Sequence, residues 1–63
     1  MIRTKREFER FFREEILPSI RDQYEQDGRI DYPARREAWN NTTDAMAQDR
    51  AIPPHGREWV CPW

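Results

Sequence analysis

The side chains able to do chemistry fall into a few groups. Arg3, Arg6, Arg10 and Arg13 recur at spacings of three or four, so on a helix they form one row. Such a row can meet nucleic-acid phosphates or an acidic protein surface. The same spacing also describes an ordinary solvated helix face, and Glu7 and Glu14 stand beside it to neutralise part of its charge. Arg35 forms a second group with Glu15 and Glu9, because each interrupts an otherwise apolar helix side. A charge so placed needs a partner, since desolvating it alone is expensive. Arg35 is therefore expected to pair with Glu15 or Glu9 across the seam between two helices and to fix their register. The competing reading puts Arg35, Arg36 and Trp39 on a partner-binding face. Trp59 and Trp63 form the third group. Tryptophan concentrates in interface hot spots, and in a short chain it also serves as core.

His55 and Cys61, with five residues between them, make the weakest group. One His and one Cys do not complete the four ligands of a structural zinc site. Nothing in the sequence orients His55 to activate Cys61 as a nucleophile. Asn40-Asn41-Thr42 and Asn41-Thr42-Thr43 match the glycosylation sequon, but a secretory route is needed to give that meaning. No catalytic, cofactor-binding or metal-binding residue is assigned, and no enzymatic activity or cofactor is expected.

The elements that must position these groups are helical. Thr4 and Glu7 have the spacing of a capping box. Phe8, Phe12, Ile16 and Ile20 then recur every four residues, with Phe11, Leu17 and Tyr24 beside them, which predicts an apolar stripe on a helix. Pro18 lacks an N–H and clashes with the preceding turn, so a bend is expected near Ile16 and Leu17. The first helix is predicted over about residues 5–26, with Gly28 as its stop. Asp31 suits an N-cap and Pro33 a first turn, so a second helix is predicted over about 33–49. Ala38, Trp39, Thr42, Ala45 and Met46 share its expected inner face, and Ile30 or Tyr32 is expected to tuck onto the core. Pro53, Pro54 and Gly56 break any further helix. The tail, 50–63, is expected to be irregular, with one short turn between Arg57 and Trp63, and Trp59, Val60 and Trp63 as an apolar lid.

Composition bounds the rest. Sixty-three residues make one domain, 1–63. A chain this size buries only about 60% of its unfolded surface. One cysteine excludes an internal disulfide and fits a reducing compartment. Stability must then come from the aromatic residues, with homodimerisation as the expected supplement. Eleven basic against twelve acidic residues, net −1, argues against a general nucleic-acid binder. No apolar run is long enough to span a membrane, and no apolar stretch follows the basic start, so a cytoplasmic location is expected.

Arg3-Thr4-Lys5 with Phe8, Asp31-Tyr32-Pro33 with Arg35-Arg36, Ala38-Trp39-Asn40, Asp44, and Trp59 with Pro62 resemble a group of small helical proteins encoded by tailed bacteriophages. The likeness spans most of the chain and is most specific from Tyr32 to Asp44. The tail departs from it, because those proteins carry a more regular helical segment where this chain has Ile52-Pro53-Pro54-His55-Gly56. The group carries no assigned activity, so the resemblance transfers no site residues. It implies a context, the cytoplasm of a bacterial host. The expected fold is all-α, a bent helix packed antiparallel on a second helix and closed by the tail. The expected role is binding a host protein through Arg35, Arg36, Trp39, Trp59 and Trp63. The alternatives are nucleic-acid binding by the arginine row, or a structural role in the virion.

Overall fold

The computed structural model describes residues 2–63; Met1, the first residue of the expected domain, lies outside them. The described residues hold helices and no strand: α1 (Lys5–Phe11), a π-helical turn (Phe12–Ile16), α2 (Leu17–Tyr24), α3 (Tyr32–Gln48) and a 3-10 turn (Pro54–Glu58). α1, the π turn and α2 run on as one bent helix, which packs antiparallel on α3. Glu25 meets Arg35 at one end, Phe8 and Phe12 meet Trp39 in the middle, and the Ile2 N–H donates to the Ala51 carbonyl at the other end. The overall extents are 35 × 18 × 17 Å. Two helices of roughly 10 Å diameter side by side account for one of the two short dimensions; the other also takes in the 50–63 tail, which lies across the pair.

The first helix starts as its capping pair predicts. The Glu7 N–H donates to Thr4 Oγ1 at 3.2 Å. The return contact differs from a full capping box, because the Glu7 carboxylate accepts from the Thr4 hydroxyl rather than from its backbone. Pro18 explains the bend. In an unbroken α-helix its ring would collide with the carbonyl four residues back. The chain widens instead, and the Leu17 N–H donates to the Phe12 carbonyl, five residues back. Pro18 then sits in the first turn of α2, where its missing N–H costs nothing.

This wide turn moves the core stripe. The expected set was Phe8, Phe12, Ile16 and Ile20, but the buried set is Phe8, Phe12, Leu17 and Ile20, with Ile16 only half-buried. One extra residue per turn between Phe12 and Leu17 rotates Leu17 inward. The inner face of α3 is also corrected. Arg35, Trp39 and Thr43 are buried at four-residue spacing, whereas Ala45 is exposed and Thr42 half-buried. The Thr43 hydroxyl donates to the Asn40 carbonyl, so it is carried into the core already satisfied.

The connections depart further from expectation. The first helix ends at Tyr24, two residues before Gln26, because Glu25 leaves helical geometry at φ −124°, ψ 31°. Gly28 has φ +83°, the left-handed conformation that glycine accepts without strain. Ile30 and Tyr32 are exposed rather than tucked onto the core. Asp31 caps α3 by accepting from the Ala34 N–H, as expected. The α3 end forms a Schellman motif, with Arg50 N–H to Ala47 O at 3.1 Å and Ala51 N–H to Met46 O at 2.8 Å. Its left-handed residue is Arg50, φ 62°, where glycine is usual.

The tail is less irregular than expected. Its turn falls at Pro54–Glu58, upstream of the expected place. Ile52, treated as part of a helix-breaking stretch, is fully buried in the core. Val60, expected in the lid, points outward at 73% exposure. Gly56 is buried because the turn passes hard against the core. A Cβ there would lie 2.7 Å from Ile52 Cδ1 and 3.2 Å from both Ile52 Cγ1 and a Trp59 ring carbon. Since Ile52 is itself buried in the core, Gly56→Ala is expected to overpack the site and cost about 1–3 kcal/mol in a denaturant titration. An unchanged midpoint would show that the turn can shift outward freely.

Candidate functional site

The sequence places two charged groups and three tryptophans as candidates, and the structure separates them. Arg35 is 4% exposed and Trp39 fully buried. No partner reaches either side chain, so both leave the expected partner-binding set. Arg35 does pair with a glutamate across the fold, as expected, but the partner is neither Glu15 nor Glu9. Glu15 is exposed, and Glu9 lies 3.6 Å from Arg13 on its own helix. Arg35 instead grips Glu25, the residue that ends the first helix. Its Nε donates to Oε2 and its Nη2 to Oε1, both at 2.7 Å. Oε2 also accepts from the Asp31 N–H. The fork geometry matches a carboxylate with two parallel bonds. The hydrogen bonds from Arg35 hold the Glu25 carboxyl below its ordinary pKa, against the opposing effect of burial. The Glu25 carboxylate likewise raises the Arg35 pKa.

Trp39 is the centre of the aromatic core. Phe8 meets it edge-on at 4.7 Å, and Phe12 at 5.3 Å. Its indole N–H donates to the Trp59 carbonyl at 2.9 Å. Trp63 packs against Phe12 at 5.6 Å and Trp39 at 6.3 Å. The guanidinium groups of Arg13 and Arg35 lie over the Trp63 ring at 5.6 and 5.3 Å. Arg36 Nε donates to the Trp63 main-chain oxygen at 2.9 Å. Along 59–63 the residues alternate: Trp59, Cys61 and Trp63 are half-buried, and Val60 and Pro62 are exposed. The tail thus lies as an extended strip whose odd residues face the helix pair.

A groove of 370 Å³ opens beside this strip, lined by Arg36, Asn40, Arg57 and Glu58 together with Trp59, Val60, Cys61 and Trp63. Arg36, Trp59 and Trp63 are the expected site residues that remain accessible, and the structure brings all three together. Val60 and Arg57 join them, and the sequence reading assigned neither to a site. The alternation of the tail was the available signal for Val60.

Arg6, Arg10 and Arg13 are exposed along the first helix, whereas Arg3, also exposed, precedes its Thr4 N-cap and so lies off the expected row. Arg10 lies 3.2 Å from Glu14 and Arg13 pairs with Glu9, which divides the row into neutralised and free halves. His55 packs edge-on against Trp59 at 5.9 Å, and Cys61 is a free thiol. Among the described residues no group of three His, Cys, Asp or Glu side chains converges to hold a metal ion, and no helix is long and apolar enough to cross a membrane. No protein family, curated protein or solved structure matches this chain.

The Glu25–Arg35 pair makes two expectations. Removing one partner leaves a buried charge alone, whereas replacing both by apolar groups removes the desolvation cost as well. Arg35→Met is therefore expected to lower Tm more than the double change Glu25→Leu with Arg35→Met; the reverse order would remove the pair from the stability argument. The second expectation is acid sensitivity. A lowered Glu25 pKa gives stability that is present above the ordinary glutamate range and lost as pH falls through the folded value. Thermal melts in that acidic window should show a steeper loss for the wild type than for Glu25→Gln.

Proposed function

We propose that this chain is a small non-enzymatic protein that acts by binding another protein through the outer face of its 59–63 strip. The observation that carries the reading is Val60, 73% exposed between two half-buried tryptophans. Arg36 and Arg57 flank it along the groove, with Glu58 beside them and Asp44 3.6 Å from Arg57. An apolar projection on a rigid aromatic base, rimmed by arginines, has the composition of an interface hot spot. The base is held by side chains whose contacts lie inside the fold, so little ordering remains to oppose association. The resemblance to tailed-phage proteins is what supports a bacterial host protein as the partner, met in the host cytoplasm. The arginine row is the weaker surface for a nucleic acid, because glutamates already occupy Arg10 and Arg13.

Trp39→Ala cannot test this reading. Truncating a fully buried tryptophan costs about 3–5 kcal/mol, a large share of a small domain's stability. Val60→Asp changes only the exposed projection. Affinity capture from bacterial lysate with wild-type protein is expected to retain a host protein that Val60→Asp loses, with both baits giving the same circular dichroism and Tm. Equal retention by the two baits, or nothing above background with either, would count against the proposal.

A further inference from the structure

The helix pair is incomplete without the residues that follow it. Ile52 fills the core, the Trp59 carbonyl satisfies the Trp39 N–H, and Trp63 closes the socket formed by Phe12, Arg13, Arg35 and Trp39. This whole unit is attached through a very short hinge, from the end of α3 at Gln48 to Ile52. The hinge reverses the chain at Arg50, a non-glycine residue held at φ 62°. Left-handed geometry disfavours any residue with a Cβ. Pro53 and Pro54 follow immediately and stiffen the far side of the hinge.

A hinge of this kind has a low-cost alternative. If Arg50 takes ordinary helical angles, α3 continues through Arg50 and Ala51. The Schellman bonds to Met46 and Ala47 are then replaced by the usual bonds four residues back. Pro53 stops the extension, because the residue before a proline avoids helical geometry. The chain then points away from its own helix pair instead of folding back over it. Its Ile52, Trp59 and Trp63 side chains have one other surface that fits them equally well, the same socket on a second copy.

We propose that the segment from Ile52 to Trp63 exchanges between two copies of this chain, giving a domain-swapped dimer in which each tail completes its partner's Phe12–Trp39 socket. The occupant is a second copy because the socket's fit to this segment is already displayed within one chain. Exchange keeps every core contact and relieves the strained residue in both hinges. Val60 faces outward in either form, so this inference is independent of the binding role proposed above.

The test uses full-length chains. Asn40 and Cys61 line the same groove, so a thiol at position 40 reports whose tail lies there. Chains carrying Asn40→Cys with Cys61→Ser are mixed with wild-type chains, unfolded and refolded together at high concentration, and equilibrated in a thiol–disulfide buffer. A disulfide between position 40 of one chain and Cys61 of the other, found by peptide mass spectrometry in a sedimenting dimer, is the expected result. A second measurement uses Arg50→Gly, which removes the hinge strain without touching the socket. It should raise the dimer dissociation constant by about tenfold or more, given the cost of two left-handed residues. A species that stays monomeric at all concentrations, or a dimer lacking the 40–61 link, would overturn the proposal. So would a dimer insensitive to Arg50→Gly.

Discussion

Burying Trp39 is the constraint from which most of this structure follows. The ring is large enough to supply much of the core of a chain this small, and it is fully enclosed. Enclosure has a condition: the indole N–H must keep a hydrogen bond, since an unpaired buried donor costs more than a made bond returns. The aromatic faces around it come from Phe8 and Phe12, which offer no acceptor. The acceptor is a main-chain carbonyl, that of Trp59. A backbone segment therefore has to cross the helix pair at this point, and the two helices alone cannot form the folded state. The 3-10 turn at Pro54–Glu58 and the buried Gly56 follow from that need, because they bring the chain back close enough for Trp59 to reach.

The Glu25–Arg35 pair solves a different problem at the other end of the molecule. Two helices joined by a short connection can slide along each other while keeping apolar contact. A bidentate pair between the residue that caps the end of one helix and the inner face of the other has a single good register. Glu25 also accepts from the Asp31 N–H, so the same carboxylate ties the residue that caps α3. Ending the first helix at Tyr24, short of what its sequence allows, is the local consequence. Arg35 further lies over the Trp63 ring. The polar clasp and the aromatic core thus share one side chain, and the tail feels both.

The sequence makes the two helices, the caps at Thr4 and Asp31, the bend at Pro18 and the tryptophan closure legible, because each rests on local periodicity or local backbone chemistry. The errors are all consequences of geometry beyond one turn. A π turn inserts one residue into the register, so Leu17 rather than Ile16 faces inward; proline foretells a bend but not its form. The need of Arg35 for a carboxylate is readable from its position, yet its choice depends on where the first helix stops, and Glu25 reads as an ordinary late-helix residue. Ile52 is hidden by its prolines, which identify a break without saying which side chain turns in. Arg50 gives no signal, since glycine is the residue that marks a left-handed cap. Of the expected site, Arg36, Trp59 and Trp63 gather as one surface. Arg35 and Trp39 were legible as core from their place among apolar neighbours, and that reading outweighs the binding one.

A strip that alternates inward and outward residues ties the shape of its outer face to the stability of the core. Trp59 and Trp63 cannot lift away without uncovering Trp39 and Arg35, so the outward residues between them inherit the rigidity of the core. A two-helix fold of this width encloses little, and its polar side chains are engaged in capping, clasping or solvation. What it can present is a shape. Val60 standing on a fixed aromatic base is such a shape, and it survives whether the tail lies on its own helices or on those of a second copy. Association through that face would draw on the same contacts that hold the fold, so weakening the aromatic core would weaken the surface with it.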